Sequence, residues 1–192
     1  DMPRLFFCGL FGVALNQLLF FKGLNITTPI NASIIMTSNP VLVLIVSGLI
    51  LRERITKSKI IGIVLGITGA CTLIFMGGNS GTFSLSKTIW GDIMVLINAA
   101  SYGIYLVIAK PLMAKYHPLT VIKWVFTFGI LFVFPVGTGE FVDIEWSIMP
   151  VNIIWAVVFV VLGTTFLAYL LNIFALKNVS PSVVSIYLYL QP

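Results

Sequence analysis

Six apolar runs of close to twenty residues, separated by short polar, proline- or glycine-marked joints, constrain this chain more than any other feature. An α-helix rises about 1.5 Å per residue, so about 20 apolar residues cross a hydrocarbon core of about 30 Å. The runs cover 5–24, 30–51, 58–76, 89–109, 119–137 and 153–176, here spans A to F. A seventh, G, begins at Pro181 and has twelve residues left. Its reach of about 18 Å is too short to cross. The expected fold is all-α, a polytopic transmembrane helix bundle of six full spans plus a truncated seventh. Both ends of the sequence fall at or inside apolar runs, so it reads as a fragment cut at both ends.

Composition closes off the other classes. Hydrophobic residues make up 59% and charged residues 9%, with a mean hydropathy of +1.09. A soluble domain carries about 25% charge, so this chain cannot cover a globule with charged surface, nor remain disordered. The net charge of +5 does not imply nucleic acid, because its basic residues sit mainly between runs rather than in one patch. Cys8 and Cys71 lie inside runs and read as small core residues. The stretch from Asp1 has no basic n-region and no cleavage site, so no signal peptide is expected within it.

Basic residues set an orientation. Arg4, Arg52, Arg54, Lys57, Lys59, Lys110, Lys115, Lys123 and Lys177 fall on one side, and only Lys22 and Lys87 on the other. The positive-inside rule makes the first side cytoplasmic, including loops 52–59 and 110–118. The acidic stretch 138–149, with Glu140, Asp143 and Glu145, then faces out. Pro111, Pro118 and Pro150 are expected between runs, and Gly77-Gly78-Asn79-Ser80-Gly81 forms a loop.

The chain also repeats. A shift of 152 places Phe7 on Phe159, Leu10 on Leu162, Leu24 on Leu176, Pro29 on Pro181, Ser33 on Ser185 and Pro40 on Pro192. Ten of the 34 positions from 7 to 40 are identical, and both prolines align without a gap. Span F comes five spans after A, so the two cross in opposite directions. That pattern is an inverted repeat of five helices, the architecture of secondary transporters with a site near the midplane.

Span B with its central Pro40, ending Leu51-Arg52-Glu53-Arg54-Ile55-Thr56, resembles the EamA family of the drug/metabolite transporter superfamily. The glycine-rich Gly62-Ile63-Val64-Leu65-Gly66-Ile67-Thr68-Gly69 and the start of span D, Gly91-Asp92 with Ala99-Ala100-Ser101-Tyr102, are similar to it as well. The resemblance implies ten helices in two repeats. Residues 1–80 would be the C-terminal part of the first, and 87–192 the N-terminal part of the second. It also implies export or exchange of small metabolites through the bacterial inner membrane, with no cofactor and with the lipid bilayer and a small-molecule substrate as partners.

Polar side chains inside spans tend to face the bundle interior. Asn16 and Gln17 lie mid-span in A; Ser33, Thr37, Asn39 and Pro40 lie in B. Asn98, Tyr102 and Tyr105 form a stripe at i, i+4, i+7 in D; F holds Thr165 and Tyr169 at matching depth, and G holds Tyr189. Together these twelve residues are expected to line a substrate cavity. Gly62, Gly66 and Gly69 mark helix packing. Glu53 is expected to pair with Lys57, and Asp92 to be an interfacial charge. Trp90, Trp124, Trp146 and Trp155 suit an aromatic belt.

Gly78-Asn79-Ser80-Gly81 mimics a protease nucleophile motif, but His117 falls on the opposite side, and a serine nucleophile needs a base in reach. Asn25-Ile26-Thr27 and Asn178-Val179-Ser180 are chance sequons. An intramembrane enzyme is therefore disfavoured, and a scaffold or sensor has no need of opposed halves. A relative carrying phosphorylated or nucleotide sugars would call for Lys or Arg at mid-depth, where the visible spans have none. For the same reason proton coupling is not expected, and a substrate-driven uniporter or exchanger is.

Overall fold

The computed structural model describes residues 1–52, 61–62, 64–65, 68, 72 and 87–187. Helices dominate, and no strand occurs among the described residues. α1 is Met2–Ile26, α2 Pro29–Met36, α3 Asn39–Ile50, α4 Lys87–Met113, α5 Pro118–Val142, α6 Val151–Asn178 and α7 Pro181–Ile186. Among the described residues, five stretches are long and apolar enough to cross a membrane: α1, α2 with α3, α4, α5 and α6. The expected span 58–76 falls largely outside the described residues, as do Tyr189, Glu53, Lys57 and the motif at 78–81.

Local chemistry explains the joints. Thr28 caps α2, its hydroxyl accepting from the Asn31 amide at 3.2 Å, with Pro29 at the first helical position. The break between α2 and α3 follows from Pro40, which has no N–H to continue the ladder. Thr37 and Ser38 hydroxyls donate to the Ile34 and Ile35 carbonyls, each at 2.6 Å, so the turn keeps its polar groups bonded. His117 opens α5, its Nδ1 accepting from the Leu119 amide at 3.4 Å.

Two boundaries differ from expectation. Pro111 lies inside α4 rather than after it, and α5 runs on to Val142, taking Glu140 into the helix. Apolar runs mark hydrocarbon thickness, whereas helices continue into the headgroup region, where polar residues are tolerated.

α4 is the central helix and packs against each of the other six. Its Tyr102, Tyr105 and Leu106 join Val13, Val125, Tyr169 and Ile173 in one core. The backbones approach closely there: a Cβ on Gly12 would stand 2.5 Å from the Tyr105 ring, and one on Gly129 2.5 Å from Val13. Such small-residue crossings are how helices associate in lipid.

Polar contacts fix which loops share an end. At one end Lys115 pairs with Asp1 at 3.1 Å, and the Tyr116 hydroxyl bonds the same carboxylate at 3.0 Å. Lys110 Nζ donates to the Leu176 and Val179 carbonyls there, both at 2.8 Å. At the other end the Thr27 hydroxyl donates to Asp92. α1 therefore runs antiparallel to α4, and α6 runs parallel to α4.

Candidate functional site

A cavity of about 350 Å³ lies between α1, the α2–α3 break, α4 and α6. Seven of the twelve expected residues line it: Asn16, Gln17, Asn39, Asn98, Tyr102, Thr165 and Tyr169. Phe20, Phe21, Met36 and Val160 supply an apolar side, and no Asp, Glu, Lys, Arg or His is among the lining residues described.

Each wall has a local cause. α1 and α6 both widen into π-helix on their way past, at Leu10–Leu15 and Val160–Leu167. Wider turns loosen the backbone ladder, and such segments often mark functional sites. The Gly12 carbonyl, inside the first, accepts from the Tyr169 hydroxyl, which also lies 3.0 Å from Asn16 Oδ1. Asn98 Nδ2 donates to the Asn16 carbonyl in turn. Asn98 Oδ1 is left buried without a hydrogen-bond partner. Asn39 Oδ1 and the Tyr102 hydroxyl are likewise buried and unpartnered among the described residues, as are the Ser47 and Tyr105 hydroxyls behind the cavity. A buried polar atom left unbonded costs about 1–3 kcal/mol, and three of the five belong to residues that line the cavity.

The other expected residues stand elsewhere. Tyr105 is fully buried behind the cavity, its ring 5.9 Å from Tyr102 and 5.8 Å from Tyr169, so it supports the lining and does not reach the space. Ser33 and Thr37 are exposed and spend their hydroxyls on the carbonyls of Pro29 and Ile34. Neither lines the cavity, whereas Asn39, two residues beyond Thr37 and so on the other side of the helix, does. Pro40 is buried beside that break but is not part of the lining. Asp92, expected as an interfacial charge, is 2% exposed and bonded to Thr27 at the turn after α1.

Thr164, Ala168 and Asn172 also line the cavity. Asn172 was missed, although a signal existed: it lies at i+7 from Thr165 and i+3 from Tyr169. The shift of 152 offers a second one. Asn16, Gln17 and Phe20 correspond to Ala168, Tyr169 and Asn172, and all six line the same space.

An all-helical bundle with several apolar spans and an uncharged polar cavity at mid-length defines a multi-pass membrane protein. The EamA-like transporter family matches residues 1–75 and 89–192, and the chain belongs to that family. It is similar to an uncharacterized transporter of Archaeoglobus fulgidus, 27% identical over 192 residues, covering 100% of this chain and 66% of the relative. The uncharacterized transporter YyaM of Bacillus subtilis is 26% identical over 96% of this chain and 60% of its own length. A probable terminal-alkyne amino-acid exporter of Streptantibioticus cattleyicolor is 29% identical over 70% of this chain and 43% of its own. The chain thus spans 66% and 60% of the first two relatives. No solved structure matches it.

Proposed function

We propose that the full protein is a secondary transporter that exports or exchanges small neutral or zwitterionic organic metabolites by alternating access. The cavity's chemistry carries this reading. Asn39 Oδ1 and Asn98 Oδ1 accept hydrogen bonds, the Tyr102 hydroxyl donates one, and Phe20, Phe21, Met36 and Val160 offer an apolar bed. A solute with an amino or hydroxyl donor, a nearby acceptor and a modest apolar body satisfies all four features. Amino-acid-like metabolites have that form, and one relative is named for an amino acid.

Alternating access rests on the inverted repeat of five helices. Support comes from the opposite directions of α1 and α6, from their two π segments at matching repeat positions, and from the six equivalent positions around the cavity. Among the described residues the cavity holds no ionisable side chain to carry a proton across, so unless the rest of the full protein contributes an acid, transport is driven by the substrate gradient. Loops 52–59 and 110–118 are cytoplasmic by charge bias, in the inner membrane of a prokaryote.

Counterflow in proteoliposomes of the full-length protein tests this, with a panel of neutral amino acids set against sugar phosphates and no pH gradient. Neutral amino acids should exchange without acidifying the lumen. Tyr102→Phe and Asn98→Ala should each lower exchange about tenfold, the factor given by about 1.4 kcal/mol, at unchanged membrane abundance. Preferential exchange of sugar phosphates, or proton movement with the solute, would sink the reading.

A further inference from the structure

α4 carries a polar pin at each end, and the two pins hold equivalent parts of the repeat. Near its start Asp92, 2% exposed, accepts from the Thr27 hydroxyl, at the turn from α1 to α2. The backbone closes around this contact: a Cβ on Gly91 would stand 2.6 Å from the Thr27 nitrogen. Near its finish Lys110 donates to the Leu176 and Val179 carbonyls at 2.8 Å each, at the turn from α6 to α7. Under the shift of 152, Thr27 corresponds to Val179 and Leu24 to Leu176. One turn is therefore held twice, once in each half, at opposite ends of one helix.

Chemistry and distance suit the task. Asp92 accepts from Thr27, the C-cap of α1 one residue before the Thr28 cap of α2, and Lys110 meets the C-terminal carbonyls of α6, which favour a cation. Eighteen residues separate the two, or about 27 Å along a helix, close to the hydrocarbon thickness of about 30 Å. The cavity lies between them, and neither residue lines it.

We infer that Asp92 and Lys110 are positioning residues that latch the two repeat-equivalent turns, and that transport releases one latch while the other holds. The inference rests on the transporter reading above. With the Thr27 hydroxyl free of Asp92, the ends of α1 and α2 swing from α4 and open the outer end of the cavity. With Lys110 free of α6, the turn at 176–181 swings away and opens the cytoplasmic end. Neither residue touches the solute; each acts through the turn it holds.

The test uses a reporter, Thr165→Cys on the cavity wall, in the full-length protein stripped of other cysteines. Its labelling rate by a membrane-impermeant maleimide is measured in right-side-out and in inverted vesicles. Thr27→Val should raise labelling from the outer face about fivefold and lower it from the cytoplasmic face. That factor is the net worth of about one hydrogen bond in an equilibrium. Lys110→Met should do the reverse, the double variant should return toward the starting balance, and Thr27→Ser and Lys110→Arg should restore it. A merely structural role would alter both faces alike or reduce abundance without asymmetry, and either result overturns the latch while leaving the transporter reading standing. A reporter unreachable from both faces in the otherwise unaltered protein would overturn the cavity reading and the latch together.

Discussion

α4 and α6 are both long membrane-crossing helices, yet their surroundings are opposite. Within α4 the most apolar window has a mean hydropathy of 1.7 and is 61% buried; in α6 the values are 2.4 and 6%. The less apolar helix is the central one. In water that order would be unstable, because the most apolar surface would seek the core. In lipid the solvent is itself apolar, so hydropathy does not distinguish inside from outside. What brings α4 to the centre is its polar and small residues. Asp92, Asn98 and Lys110 find bonds on neighbouring helices, and Gly103 lets its backbone pass within 3.3 Å, measured from a Cβ position, of Val43. α6 offers Val161, Leu162 and Phe166 outward instead.

The sharpest way to break that comparison is a charge on the apolar face of α6. Leu162 is 59% exposed, and on a water-facing surface a lysine there would change stability by no more than about 0.5 kcal/mol. In a bilayer Leu162→Lys costs about 2.5–3.5 kcal/mol, read as a steep fall in membrane insertion of the full-length protein. Normal insertion would mean that this face meets water. A smaller effect belongs to the crossing beside α4. Gly12→Val places its new Cβ 2.5 Å from the Tyr105 ring, an overpacking cost of about 1–3 kcal/mol. Thermal unfolding in detergent should show that loss, whereas Gly139→Ala, with nothing within 4 Å of its Cβ position, should show none. Equal behaviour of the two glycines would remove the close crossing from the account.

The same contrast explains what the sequence disclosed. Apolar run length matched α1, α2 with α3, α4, α5 and α6 to within about five residues, because the bilayer imposes the length. The polar positions at mid-span found half of the lining, since a polar group in lipid must turn toward protein. Periodicity alone misled because it gives a face and not a depth. Tyr105 stays on the Asn98–Tyr102 face by count, but further along α4 it meets Gly12 and Tyr169 rather than the cavity. Asp92 gave no local sign of burial, because its partner Thr27 is 65 residues away. The π segments of α1 and α6 have no signature in composition; only the fold reveals that they coincide in the repeat.

The smallest effect separates the cavity from its misread margin. Ser33 and Thr37 lie four residues apart and so share one helical face, and as polar mid-span side chains they are expected on the lining. In the structure their hydroxyls donate within their own helix, at 2.8 Å and 2.6 Å, and the side chains are exposed. A hydroxyl bonded to a carbonyl of its own helix contributes little when that carbonyl also has its backbone partner. Ser33→Ala and Thr37→Val should therefore shift stability by less than about 0.5 kcal/mol and leave counterflow unchanged. Tyr169→Phe, at the same level of chemical change, strips the Gly12 carbonyl and Asn16 Oδ1 of a shared donor. It should cost about 1–2 kcal/mol and impair exchange. If Ser33→Ala or Thr37→Val impaired exchange as strongly as Tyr169→Phe, the face of α2 that carries them would have to meet the solute, and the spacing would have been the better guide than the break at Pro40.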